Sequence, residues 1–187
     1  MTFLLIVLGI LLVVLIYFIS LYNNLVRLKN AVAQAWANID VLLKQRHDEL
    51  PKLVEVCKQY KQFEQETLQR VIAARSQVQA AREGGDVAAL GRAEGALRAG
   101  LGSIFAVAEA YPELKANENF MQLQSRISGL ENAIADRREF YNDAVNINNV
   151  AVEQFPSALV AGMFNFTAKP LLEFSSAEKS DVDLKAL

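Results

Sequence analysis

The 187-residue chain has one cysteine, one histidine and one tryptophan. Cys57 alone excludes an intrachain disulfide framework and a thiolate-based zinc site. His47 alone excludes an H-E-x-x-H site and every multi-histidine metal centre. Charge of either sign is also scarce as a surplus: 19 lysines and arginines against 21 acidic residues leave a formal net charge of −2. A nucleic-acid binder needs a concentrated basic surface to displace counterions, so no nucleic-acid partner is expected. Four prolines leave long stretches free to be helical. Strand alternation is absent. What is abundant is apolar side chain, 52% of the total, far too much for a chain that stays disordered.

That surplus is concentrated. Residues 3–21 read FLLIVLGILLVVLIYFISL, without a charge. At roughly 1.5 Å per residue the run spans about 28 Å, close to the hydrocarbon thickness of a bilayer. A cleavable signal peptide would need a basic start, a shorter apolar core and a small-residue site soon after it. None is present, and the A-x-A triplet Ala31-Val32-Ala33 lies too far downstream. Residues 1–21 are therefore expected to be a transmembrane anchor. Arg27 and Lys29 follow the run and no cation precedes it. The positive-inside bias leaves the N-terminus outside and the remainder in the cytoplasm. Tyr17 and Tyr22 suit an aromatic belt at the inner boundary.

Beyond the anchor, apolar residues recur in steps of three and four. Leu25, Leu28, Val32, Ala35, Ile39 and Leu42 form one stripe, resumed by Leu50, Leu53, Cys57 and Tyr60. Val71, Ile72 and Val78 lead to Gly84-Gly85, which should end a helix. Asp86 is placed to cap the next, with Val87, Leu90, Leu97, Leu101, Ile104 and Ala108 inward and Pro112 as its stop. Asn117 or Asn119 can cap another, with Phe120, Leu123, Ile127, Leu130, Ile134, Tyr141 and Val145 inward, ending before Pro156. The expected fold is all-α: a transmembrane helix, then an antiparallel helical bundle over residues 22–156. Residues 157–187 would be an apolar C-terminal segment and a flexible tail.

Pro51 leaves two architectures open. It can interrupt one long helix that runs from the membrane to Arg82, giving three long helices. It can instead sit in the first turn of a new helix capped by Asp48, giving four. The near-continuous stripe across it favours the first reading.

Chemistry is hard to find. His47 and Cys57 are ten positions apart, about 15 Å on a helix and on different faces, which excludes a nucleophile–base pair. Cys57 lies on the apolar stripe, as a buried small hydrophobe would. The GRAEGALRAGLG run of residues 91–102 has no following G-K-[ST] and no preceding strand, so it is no phosphate loop. Glu64 and Glu66 could pair as carboxylates, but a solvated helix face explains them equally. No catalytic, cofactor-binding or metal-binding residue is assigned, no cofactor is expected, and the chain does not read as an enzyme. Polar residues on the stripes are more informative. Arg46, Arg75, Glu94 and Arg137 occupy positions where apolar residues belong, and Asn142, Asn146 and Asn149 follow a second face. Buried charges need partners. They either pair across helices and fix register, or form a seam that receives a ligand or partner.

These residues also carry a resemblance. Tyr22-Asn23, AWANIDV at 35–41, Leu43-Lys44, Arg46, Asp48, Leu50-Pro51 and Leu53-Val54-Glu55 form its first half. Ala74-Arg75, Glu94, EAYPELKANENF at 109–120, Leu123-Gln124, Arg137-Arg138, Tyr141-Asn142 and Phe155-Pro156 complete it. The chain resembles the LemA family of bacterial membrane proteins over nearly its whole length. Lys52 and the glycine-rich second helix of the bundle depart from the family pattern. The resemblance implies a single-pass protein of the bacterial inner membrane with a cytoplasmic four-helix-type bundle and no known catalytic residues. Some relatives are tied to membrane remodelling, including formation of magnetosome membranes. A membrane-anchored scaffold that forms a homo-oligomer and organises or bends the bilayer is the leading reading. An accessory subunit bound to a membrane protease, or another membrane protein, is the rival, and a signalling adaptor is a third. The lipid bilayer is a partner in each.

Two segments carry narrower expectations. FPSALVAGMFNF at residues 155–166 has no charge and three phenylalanines, which marks either packing on the bundle end, a copy-to-copy contact or an interfacial membrane contact. The tail at 175–187, with Glu178, Lys179, Asp181 and Asp183, should be loosely held. Gly91, Gly95, Gly100 and Gly102 each cost a helix roughly 1 kcal/mol relative to alanine. Gly91, Gly95, Arg98, Gly102 and Phe105 follow one line, so the glycines should open a groove for a neighbouring helix, in the same chain or another copy.

Overall fold

The computed structural model describes residues 1–60 and 63–173, and every regular element among them is helical. In order these are α1 (Thr2–Lys58), α2 (Gln65–Gly84), α3 (Val87–Ala108), the single turn α4 (Pro112–Lys115), α5 (Glu118–Glu153) and α6 (Ser157–Met163). The expected loosely held tail lies outside the described residues. The chain divides into two compact units, one built from residues 1–37 and 139–170, the other from the described residues of 38–138 and 171–173.

In the second unit, Pro51 lies inside α1 and does not start a new helix. Proline forfeits a backbone bond there and crowds the preceding turn. Leu50 and Leu53 on either side are fully buried, and continuous burial of the stripe offsets that cost. The helix nevertheless does not reach Arg82. It ends at Lys58, where Gln59 and Tyr60 switch to tighter i→i+3 bonds. Phe63, just before α2, is buried and packs its ring on Tyr111, 5.7 Å between centroids. Among its described residues the unit thus has four long helical segments, and the reversal follows Pro51 by several residues.

Local signals set the remaining boundaries. Gly85 takes a left-handed φ of 67° and its N–H bonds to the end of α2, the αL cap that glycine accepts without strain. The Asp86 carboxylate accepts from Ala89 N–H at 2.8 Å and starts α3. Asn117, rather than Asn119, caps α5 by accepting from Phe120 N–H at 3.1 Å. Pro112 opens the turn α4 just after α3 has ended. Most inward positions are as the stripes require, but Ile72 is substantially exposed, Leu28, Ala35, Leu42, Tyr60, Val87 and Leu130 are only partly buried, and Leu43 rather than Leu42 is the fully buried residue of its turn. Gly91 and Gly100 are both buried, but for different reasons. A Cβ on Gly91 would sit 1.9 Å from the Glu173 carbonyl oxygen, and one on Gly100 2.9 Å from the Val71 side chain of α2. Gly102 has nothing within 4 Å. The expected glycine line is therefore not one groove: a non-helical C-terminal backbone lies at Gly91, and α2 meets Gly100, which is off the line.

The first unit contains residues 2–37 of α1, the end of α5 and the C-terminal segment. Leu25 of α1 packs on Val160 and Ala161 of α6, with Phe18, Leu21, Tyr22, Ala151, Val152 and Phe166 around them. Phe155 and Pro156 join α5 to α6 through a cis bond. One face of the 155–166 segment therefore packs on its own chain. Tyr22 meets Phe164 and Phe166 edge-on, at 4.8 and 5.8 Å, and Trp36 packs on Tyr141 at 5.4 Å.

Candidate functional site

The polar residues of the stripes pair inside the second unit. Arg46 of α1 reaches Glu94 of α3 with one guanidinium nitrogen and Glu131 of α5 with the other, the latter at 2.5 Å. Arg46 and Glu94 side chains are 1% and 2% exposed. Burial works against the Arg46 charge, yet the two carboxylates outweigh it and hold its pKa above the ordinary value. For Glu94 burial wins over the pull of Arg46, and its pKa is raised. The cluster ties three helices into one register.

Arg75 of α2 donates to the His47 carbonyl at 3.1 Å and to His47 Nε2 at 2.6 Å. An acceptor Nε2 requires neutral imidazole with its proton on Nδ1. Burial and then the Arg75 charge depress the His47 pKa accordingly. Asp40 accepts from Arg82 at 2.6 Å, and buried Glu49 from Arg126 at 2.6 Å. Arg137 and Asn142 are engaged as well. Most of the charged groups in the expected seam thus pair within the chain, although Arg46 Nε, His47 Nδ1 and Glu49 Oε2 are buried without a hydrogen-bond partner.

Residues that suggested chemistry are kept apart. Cys57 is buried and free, and burial pushes its thiol up to about 12, so the nucleophilic thiolate is scarce at neutral pH. Glu64 accepts from Thr67 at 3.0 Å and makes a local turn contact. Among the described residues no group of three or more His, Cys, Asp or Glu side chains is placed to hold a metal ion.

The asparagines serve the first unit. Asn149 brackets the Lys169 backbone, donating to its carbonyl at 2.9 Å and accepting from its N–H at 2.8 Å. Tyr141 donates to the Pro170 carbonyl at 3.0 Å. Asn146 is exposed, whereas Asn148, absent from the expected face, is 3% exposed and donates toward the Thr167 carbonyl. Extended residues after α6 have backbone groups that no helix satisfies, and these side chains satisfy them. In the same unit, the apolar run of α1 presents its side chains outward, with none of its most apolar window buried. That window has a mean hydropathy of 3.2 and is long enough to cross a membrane.

The sequence model of the LemA family matches residues 35–185, four fifths of the chain. This chain belongs to the LemA family. It is 28% identical over 170 residues to Protein LemA of Metamycoplasma hominis, covering 88% of this chain and 74% of that one. It is 32% identical over 83 residues to magnetosome protein MamQ 2 of Paramagnetospirillum magneticum, covering 44% of this chain and 30% of the relative. MamQ of Magnetospirillum gryphiswaldense is 29% identical over 84 residues, with similarly partial coverage. The chain thus spans three quarters of the LemA relative but under a third of the magnetosome proteins. The LemA-like, all-helical fold and the apolar N-terminal helix agree, and describe a membrane-associated protein.

Proposed function

We propose that this LemA-family chain is a non-enzymatic scaffold of the bacterial inner membrane, with its N-terminus outside and its helical body in the cytoplasm. Copies associate with one another and organise or bend the bilayer. The outward apolar run of α1 carries this reading, because side chains left unpacked over about 28 Å of helix have lipid as their natural surroundings. Arg27 and Lys29 immediately after it support the orientation. Ile147 and Val150 of α5 are each more than half exposed and offer apolar surface to a second copy. Anchoring confines copies to two dimensions and raises their effective concentration. An accessory subunit docking through the polar seam is less well supported, since Arg46, Glu94 and Glu131 already occupy one another.

Reconstitution of the full chain into spherical liposomes, followed by electron cryomicroscopy, tests the proposal. Tubes, buds or flattened patches that scale with protein density are expected. Vesicles that stay spherical with the protein fully incorporated would contradict it.

A further inference from the structure

A second membrane-directed feature lies in the first unit, outside the spanning run. Val160 and Ala161 of α6 pack beside Phe18, Leu21, Tyr22 and Leu25, which places α6 at the level where the apolar run of α1 gives way to polar sequence. The outer side of this segment is apolar: Phe155, Leu159 and Met163 are 78%, 63% and 68% exposed. Beside it opens a cavity of about 360 Å³. Tyr22, Phe164 and Phe166 form its apolar wall, and Lys29, Lys169 and buried Asn148 its polar one. No carboxylate lines it, and neither lysine has an ion-pair partner among the described residues. Asn149 fixes the Lys169 backbone by two hydrogen bonds, so one cation is presented by a braced segment.

Two cations without an ion-pair partner beside aromatic rings, just beyond the apolar run of α1, match an anionic phospholipid. We propose that this cavity binds the phosphate headgroup of an anionic phospholipid, with α6 seated in the interface as a second membrane contact. The phosphate lies between Lys29 and Lys169, and the exposed Phe155, Leu159 and Met163 side chains enter the acyl boundary. The proposal rests on the anchor reading of α1 but not on self-association. An anchor failure would show separately, as a chain that stays soluble without detergent.

The test is native mass spectrometry of the full chain released from neutral detergent, titrated with dioctanoyl phosphatidylglycerol or dioctanoyl phosphatidylcholine. Preferential retention of phosphatidylglycerol is expected. The Lys29→Ala/Lys169→Ala variant should lower that retention about tenfold. Arg27→Ala removes a neighbouring cation that does not line the cavity and should leave retention nearly unchanged. Circular dichroism of the double variant should match the parent, since both lysines are exposed. Equal retention of the two lipids, or equal losses in the Arg27 and the double variants, would overturn the proposal. Displacement of the lipid by inorganic phosphate at comparable concentration would also overturn it, assigning the site to a free anion.

Discussion

Arg46 and Glu94 face each other across α1 and α3 as a buried ion pair, with Glu131 of α5 completing the Arg46 guanidinium. Removing one partner leaves the other charge buried and uncompensated, whereas replacing all of them by apolar groups removes the desolvation cost as well. Glu94→Leu should therefore destabilise the chain by about 3–5 kcal/mol. The triple change Arg46→Met, Glu94→Leu and Glu131→Leu should recover most of that loss. Thermal unfolding of the full chain in detergent, followed by circular dichroism, checks the order of the midpoints. Additive losses would contradict the pairing.

The glycines of α3 should respond unequally. Gly102→Ala fills open space in a helix and should stabilise by about 1 kcal/mol. Gly91→Ala places a methyl group on the Glu173 carbonyl and should displace the segment holding buried Leu172. Loss of that side chain's burial costs on the order of 2 kcal/mol. Hydrogen exchange at residues 171–173 reads the displacement directly, and equal effects at the two positions would refute the assignment.

A pH dependence follows from His47. Its folded pKa lies below the ordinary 6.5, so the unfolded chain binds the proton more readily and stability rises with pH across the window. The contribution is fully present above pH 6.5 and is lost as pH falls toward the depressed folded value. Protonation also removes the Nε2 acceptor and sets a second cation against Arg75. The unfolding midpoint should fall below pH 6.5 in the parent and fall less steeply in His47→Gln. Parallel slopes would remove His47 from the account.

What the sequence made legible was local. Gly85 and Asp86 each act within one turn of chain, so residue type and position sufficed, whereas Asn117 and Asn119 are equal cap candidates by sequence and only the bond to Phe120 N–H selects Asn117. The apolar stripes gave the buried faces because period alone sets them. Pro51 was ambiguous because its cost is local while the compensating burial of Leu50 and Leu53 is tertiary. The reversal after Lys58 has no glycine to announce it and depends on where Phe63 finds a pocket. Asn148 is not legible in the sequence because a polar residue on a mostly apolar face signals only through what it binds, here a carbonyl 19 residues later. The glycines showed that close approaches exist, but not that a carbonyl in one place and a valine in another would fill them.

Self-association is the property of the proposed scaffold that goes furthest beyond its anchor and its fold. Multi-angle light scattering of the full chain in neutral detergent at micromolar concentration measures it, after subtraction of the bound detergent. A protein mass of many copies of the 20.7 kDa chain is expected, reduced by Ile147→Glu/Val150→Glu. A mass of one chain under those conditions would contradict it.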